Sequence, residues 1–233
     1  MPDKFWEIKN AGKAGEVLIY GDIVSYKWDD SAITAASFKE DLDALGDVDT
    51  LNIYINSSGG NVFQGQAIYS ILKRHKARKV VYVDGIAASI ASVIAMAGDA
   101  IFVPENAMMM IHNPWMIAMG NAADFRKIAD DLDKVTVSIK ATYMQRFNQG
   151  EDKLTELLDA ETWLTAKECL EYGLCDETTP AKQIAASINK DFGYQNVPET
   201  LFRDDRLDDS ERKALLGESK ANIDKIKKIL GGM

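Results

Sequence analysis

Short apolar runs alternate with segments of helical periodicity along the first part of the chain. Runs rich in β-branched and other large apolar residues predict strands, whereas apolar residues three to four positions apart predict helices. The alternation predicts an α/β fold with a largely parallel sheet and helices packed over it. The predicted strands span residues 17–20, 51–55, 80–83, 100–103 and 108–111, and the helices between them span 38–45, 62–74 and 88–97.

The second half of the chain contains the longest predicted helix, residues 122–147. Farther along, Thr165 and Glu168 form a capping-box pattern and Gly173 is typical of a helix end, so residues 166–172 are predicted to form a short helix. The long helix is predicted from the three-to-four spacing of Phe125, Ile128, Leu132, Val135 and Ile139.

The character of the sequence changes beyond Pro180. Residues 191–209 are polar and lack periodicity, whereas residues 210–230 regain a helical pattern. A chain of 233 residues is long enough for one sizeable core with an appendage. We therefore expect one catalytic domain in residues 1–180, followed in 181–233 by a polar linker and a C-terminal helix.

Composition narrows the range of functions. Hydrophobic residues make up 46% and charged residues 27% of the chain, which is typical of a globular protein. The net charge of -9 opposes binding to phosphate backbones, so no nucleic-acid partner is expected. Residues 1–14 lack the apolar stretch of a signal peptide, and the nearly apolar run 86–97 is too short to cross a bilayer. These features predict a cytoplasmic protein without a membrane partner.

No cofactor or metal is expected from the sequence. Cys169 and Cys175 are the only cysteines, and neither belongs to a recognisable metal-ligand pattern. No Walker A sequence occurs, so the chain is not expected to bind ATP through a P-loop.

Ser89 is the strongest candidate nucleophile. It lies where the run 84–92 passes from a predicted strand into a predicted helix, and its neighbours are small. Backbone N–H groups at such a turn favour developing negative charge, as acyl transfer requires. The alternative is that Ser89 only caps the helix.

Two further features could complete a catalytic site. The corner at residues 56–61 contains Gly59 and Gly60, which permit close approach of backbone groups, and Gly60 could offer an oxyanion N–H. Of the two histidines, His75 lies in a basic run and His112 ends an apolar strand, so elimination favours His112 as a base. Histidines in such positions are also commonly structural.

Four motifs together resemble the Clp proteolytic-subunit family of serine peptidases. They are Asn56-Ser57-Ser58-Gly59-Gly60, the elbow from Gly85 to Ser89, Met110-Ile111-His112-Asn113-Pro114, and Glu171-Tyr172-Gly173-Leu174-Cys175-Asp176. Their order and spacing match the family over about residues 15–180. The resemblance implies a ClpP/crotonase-like fold with parallel sheets, flanking helices and a protruding long helix.

The same resemblance implies roles for individual residues. Ser89 takes the position of the nucleophile and His112 that of the base, while the backbone N–H groups of Gly60 and Ile90 take the oxyanion hole. Glu161 falls where the family carries its triad aspartate, and Asp159 competes for that role from two residues earlier. Triads are recognised by geometry, so the chain order Ser, His, acid is no obstacle.

The sequence also departs from the family pattern. Ser58 replaces the usual proline, Glu161 replaces aspartate, and residues 115–119 lack the usual glycine pair. These departures and the added tail resemble the phage and prophage branch, whose members are associated with head maturation.

The resemblance implies protein or peptide substrates and self-association into a ring, either heptameric or stacked as a double ring. A separate unfoldase would have to supply any ATP dependence, and phage capsid or scaffold proteins are further expected partners.

Other functions fit parts of the pattern. A crotonase-like acyl-CoA enzyme would share the fold and an oxyanion site of two backbone N–H groups without needing Ser89 and His112 together. A non-catalytic phage assembly protein would keep the fold with an unreactive Ser89. A serine-lysine peptidase is a closer variant, but no motif singles out a lysine.

Overall fold

A computed structural model describes residues 4–25, 33–181, 193–198 and 201. The chain divides into one compact unit, Met1–Leu201, and a second unit, Phe202–Met233, which lies outside the described residues. The C-terminal helix predicted for residues 210–230 also lies outside them.

The described residues form one mixed sheet of eight strands. The order is β1-β2-β3-β4-β5-β8, with β6 beside the far end of β4 and β7 beside β6. The β1–β2 and β6–β7 pairs are antiparallel and the others are parallel, which confirms the predicted α/β class and largely parallel sheet. The strands are β1 (Trp6–Ala11), β2 (Ala14–Ile23), β3 (Thr50–Gly60), β4 (Arg78–Ala88), β5 (Ala100–Pro104), β6 (Met108–Ile111), β7 (Thr162–Thr165) and β8 (Glu177–Thr179).

Six α-helices flank this sheet within the described residues. The capping box predicted at Thr165 is present, and Asn121 forms another at the start of the longest helix. That helix ends before the predicted residue 147, because the last turns tighten to bonds such as Arg146 N–H to Tyr143 O. The helices are α1 (Ala35–Asp43), α2 (Val62–Arg74), α3 (Ile90–Ala95), α4 (Ala122–Tyr143), α5 (Glu151–Asp159) and α6 (Ala166–Glu171).

The core lies around the central strands β3 and β4 and the short helix α3. Every residue of α3 is buried, so this helix has no solvent-facing side. Gly65 of α2 permits its packing, because a Cβ at that position would lie 2.2 Å from Ile90 Cγ1. Close contact between the two helices therefore fixes the start of α3, and with it the turn that contains Ser89.

Helix α4 is largely exposed in the first part of its length. From residue 122 to residue 134, only Ile128 and Leu132 are even half-buried, whereas Ile139 and Tyr143 of the last turns pack into the core. None of the described helices is both long and apolar enough to span a membrane.

Candidate active site

Ser89 occupies a strained turn between β4 and α3. Its φ of 54° and ψ of -128° lie in a region that L-residues rarely adopt, and its N–H donates to Met110 O at 2.9 Å. Its side chain forms no capping hydrogen bond with α3, which leaves the hydroxyl free for other partners. The turn is supported from within the core, where Ser92 Oγ lies 2.6 Å from Ser89 O and 2.7 Å from Tyr143 Oη.

His112 follows the last residue of β6 and faces this turn. Strands β4 and β6 are parallel neighbours with Ala88 opposite Met110, so the residues after their carboxyl ends meet at one edge. His112 Nε2 lies 2.8 Å from Ser89 Oγ. Burial lowers the pKa of His112, and the charge of Glu161 opposes that shift. The neutral ring that burial favours is the form that accepts a proton from a serine hydroxyl.

The two candidate acids have different partners. Glu161 Oε1 accepts hydrogen bonds from the backbone N–H groups of Gln195 at 2.7 Å and Asn196 at 2.8 Å. Asp159 Oδ1 accepts a hydrogen bond from Asn113 Nδ2 at 2.6 Å. Within the described residues neither carboxylate forms a hydrogen bond with His112, and only Glu161 influences its pKa. The geometry brings Ser89 and His112 into direct contact, with Glu161 close enough to act through its charge.

The glycine corner at the end of β3 lies directly against the Ser89 turn. A Cβ on Gly59 would lie 2.7 Å from Ser89 Cβ and 3.3 Å from Ile90 N, while a Cβ on Gly60 would lie 2.2 Å from Ile23 O. Both glycines have positive φ, at 97° and 138°. Glycine is therefore required at both positions, and the two segments that contain the candidate oxyanion donors are adjacent.

Comparison with known families agrees with this arrangement. The family model for Clp protease matches residues 24–182, which is more than half of the chain. The chain belongs to the Clp protease family. This membership confirms the resemblance found in the sequence, and it supports serine peptidase activity as the general class of function. Its candidate nucleophile, base and acids all lie inside the matched interval.

Residues beyond the matched interval also contact the candidate site. The Tyr194 ring stands edge-on to His112, with ring centroids 5.3 Å apart, and its hydroxyl donates to Ser58 O at 2.5 Å. Sequence reasoning assigned this stretch to a polar linker and identified no site residue in it. The available signal was the presence of aromatic and aliphatic residues, Tyr194 and Val197 among them, in a mostly polar segment.

A cavity of about 350 Å³ lies beside His112. Its lining includes Trp115, Asp159, Glu161 and Gln195. In the part of the chain that the structure describes, no group of three or more His, Cys, Asp or Glu side chains is arranged to hold a metal ion. The chemistry available at this site is therefore argued from Ser89, His112 and the neighbouring backbone and carboxylate groups.

Proposed function

We propose that the protein is a serine endopeptidase in which Ser89 is the nucleophile and His112 the general base. The observation that supports this most directly is the 2.8 Å contact between Ser89 Oγ and His112 Nε2 at a strained strand-to-helix turn. His112 accepts the hydroxyl proton as Ser89 Oγ attacks the peptide carbonyl, and then donates that proton to the leaving amine. Water resolves the resulting acyl-enzyme by the same proton transfers in reverse.

The oxyanion that forms during this attack needs preorganised donors. The backbone N–H groups of Gly60 and Ile90 are proposed for that role, which is supported by the packing of the glycine corner against the Ser89 turn. Glu161 is the proposed acid, because its negative charge raises the pKa of His112 and so stabilises the imidazolium that forms during attack.

The proposed enzyme works within a ring of identical subunits, heptameric or stacked as a double ring. The exposed apolar residues of 115–119 and of α4 support self-association. Replacement of the family's proline by Ser58 and of its aspartate by Glu161 supports a role in phage head maturation, with capsid or scaffold proteins as substrates or partners. Any dependence on ATP would come from a separate unfoldase.

Labelling with a fluorophosphonate probe tests the nucleophile. We expect the probe to modify Ser89 in the wild-type protein and the Ser89→Ala variant to lose both labelling and hydrolysis of a peptide ester. Ser138→Ala, which removes a serine of α4, should behave like the wild type.

Two results would favour the alternatives. Conversion of a CoA thioester without modification of Ser89 would indicate a crotonase-like enzyme. A folded protein whose Ser89 does not react with the probe or hydrolyse the ester would indicate a non-catalytic assembly protein.

A further inference from the structure

A segment of the chain itself lies in the candidate active site. Residues 193–198 with Leu201, here called the covering segment, contact both members of the Ser89–His112 pair through Tyr194. Burial raises the pKa of Tyr194, and a hydrogen bond with Ser89 acts in the opposite direction, so the phenol lies at the nucleophile itself. The same hydroxyl donates to Ser58 O, within the glycine corner and directly before Gly59. The covering segment therefore reaches both sides of the reacting centre.

The covering segment also fills an apolar groove on the strands that hold the catalytic pair. Ile86 and Ala88 of β4 and Met110 of β6 form a small buried cluster with Leu201, separate from the main core. The partly buried side chains that pack against this cluster are Met108, Trp163, Tyr194 and Val197. The Tyr194 ring lies edge-on to Trp163, with ring centroids 6.0 Å apart. An aromatic side chain from the chain itself is thus held between His112 and Trp163.

Polar contacts fix the covering segment on the other side of His112. Gln195 and Asn196 donate their backbone N–H groups to Glu161 Oε1, and Asn196 Nδ2 donates to Ala160 O at 2.8 Å. Hydrogen bonds to an ionised carboxylate are stronger than those between neutral groups. The proposed acid is consequently bonded to the covering segment, and no bond from His112 to it is present in the described residues.

We propose that the groove is the binding site for an aromatic side chain of a peptide substrate, and that Tyr194 occupies it as an intramolecular competitor. This inference rests on the proposed function. A substrate must displace the covering segment to bring its carbonyl to Ser89, which also frees Glu161 to turn towards His112. The apparent affinity for the substrate is then the intrinsic affinity multiplied by the fraction of molecules whose groove is open. The chain is then autoinhibited, and any event that removes the covering segment activates it.

Two substitutions empty the groove by different means. Tyr194→Ala deletes the side chain that fills the groove. Asn196→Asp replaces the amide that donates to Ala160 O with a carboxylate beside Glu161, so that charge repulsion expels the segment with almost no change in size. Tyr69→Ala is the matched control, since Tyr69 bonds Gln145 at a different surface. Thermal unfolding and circular dichroism establish that each variant is folded.

The readouts are the rate of Ser89 labelling by a fluorophosphonate and the hydrolysis of two peptide esters, one with an aromatic and one with an alanine side chain. We expect both covering-segment variants to label at least about tenfold faster than the wild type, because an emptied groove is competent in every molecule. Tyr69→Ala should match the wild type. The aromatic ester should gain more than the alanine ester, since only its side chain uses the vacated site.

Several outcomes would overturn the proposal. Unchanged or slower labelling in folded Tyr194→Ala and Asn196→Asp, with a reactive wild type, would mean that the covering segment supports the site instead of blocking it. If Tyr194→Ala does not fold, the labelling rate of Asn196→Asp alone tests the proposal. Equal gains for the two esters would refute an aromatic site. If Ser89 reacts in none of the proteins, the proposed function fails, and autoinhibition fails with it.

Discussion

Ser89 combines an unfavourable backbone conformation with strong local support. A residue with positive φ other than glycine costs on the order of 1–3 kcal/mol and persists only where its surroundings enforce it. Here the N–H is held by Met110 O, and the carbonyl by Ser92 Oγ. The strain turns Ser89 Oγ away from α3 and towards His112, and so links backbone geometry to the proposed chemistry.

The proposed acid can be tested with two near-isosteric changes. Glu161→Gln removes the charge that favours imidazolium but keeps an oxygen for the covering segment. We expect turnover to fall by up to about ten-thousandfold, the loss seen for the equivalent change in a Ser-His-Asp protease. Asp159→Asn should lower turnover less than about tenfold, since Asp159 bonds Asn113 instead of His112 and only positions the loop after it. Peptide-ester hydrolysis by folded variants measures both, and the reverse ranking would reassign the acid to Asp159.

The pH dependence of catalysis follows from His112 and Glu161. His112 must be neutral to act as a base, and burial lowers its pKa below the ordinary 6.5. The acid limb of kcat/KM should therefore have its midpoint below pH 6.5. Glu161→Gln removes the charge that raises this pKa, so the limb should move to still lower pH. A midpoint that stays fixed or moves upward would contradict the electrostatic role of Glu161.

At the level of elements, the candidate site lies where three strands of the sheet end. Strands β3, β4 and β6 end in the glycine corner, the Ser89 turn and His112, and their parallel order brings these ends to one edge of the sheet. The β3–β4 register shifts after Ile55, which brings Ser57 opposite Ala87 near that edge. The catalytic geometry thus depends on the last residues of β3 remaining close to the turn.

Gly60→Ala tests this dependence. The added Cβ would lie 2.2 Å from Ile23 O, a backbone atom that cannot move without shifting β2. We expect this clash to displace the Gly60 N–H from the oxyanion site and hydrolysis to fall by about 10²–10³, the usual loss when one oxyanion donor is lost. Gly46→Ala is the control, because Gly46 also has positive φ but has no atom within 4 Å of an added Cβ. Comparable losses of activity in both variants would attribute the effect to backbone strain and not to the oxyanion site.

The central elements were predictable and the peripheral ones were not. Strands β3 and β4 carry regularly placed buried apolar residues and so give a clear signal in the sequence. In contrast, β1, β7 and β8 are short or polar and depend on their pairing partners. Ser89 and His112 could be found from local pattern and family resemblance. The contacts of Glu161 with residues 195 and 196 join positions far apart in sequence, and no local pattern encodes them.

At the scale of the whole molecule, the main unexplained feature is the apolar surface next to the active site. Trp115, Met116, Ile117 and Met119 are exposed, Ile117 and Met119 almost completely. They immediately precede α4, whose Phe125 and Val137 are also exposed. Exposed apolar residues concentrated in one stretch of chain mark an interaction surface. Self-association would cover this surface in a protein whose overall net charge of -9 otherwise keeps molecules apart.

Assembly into a ring is the prediction that follows for this surface. Native mass spectrometry and sedimentation velocity at micromolar concentrations should show a heptamer or a double ring for the wild type. Phe125→Glu or Val137→Glu should yield smaller species, because a charge buried in an apolar interface costs several kcal/mol. Gln149→Glu adds the same charge at an exposed position outside α4 and should assemble normally. A wild-type protein that remains monomeric would contradict the ring, and intact rings in both α4 variants would exclude Phe125 and Val137 from the interface.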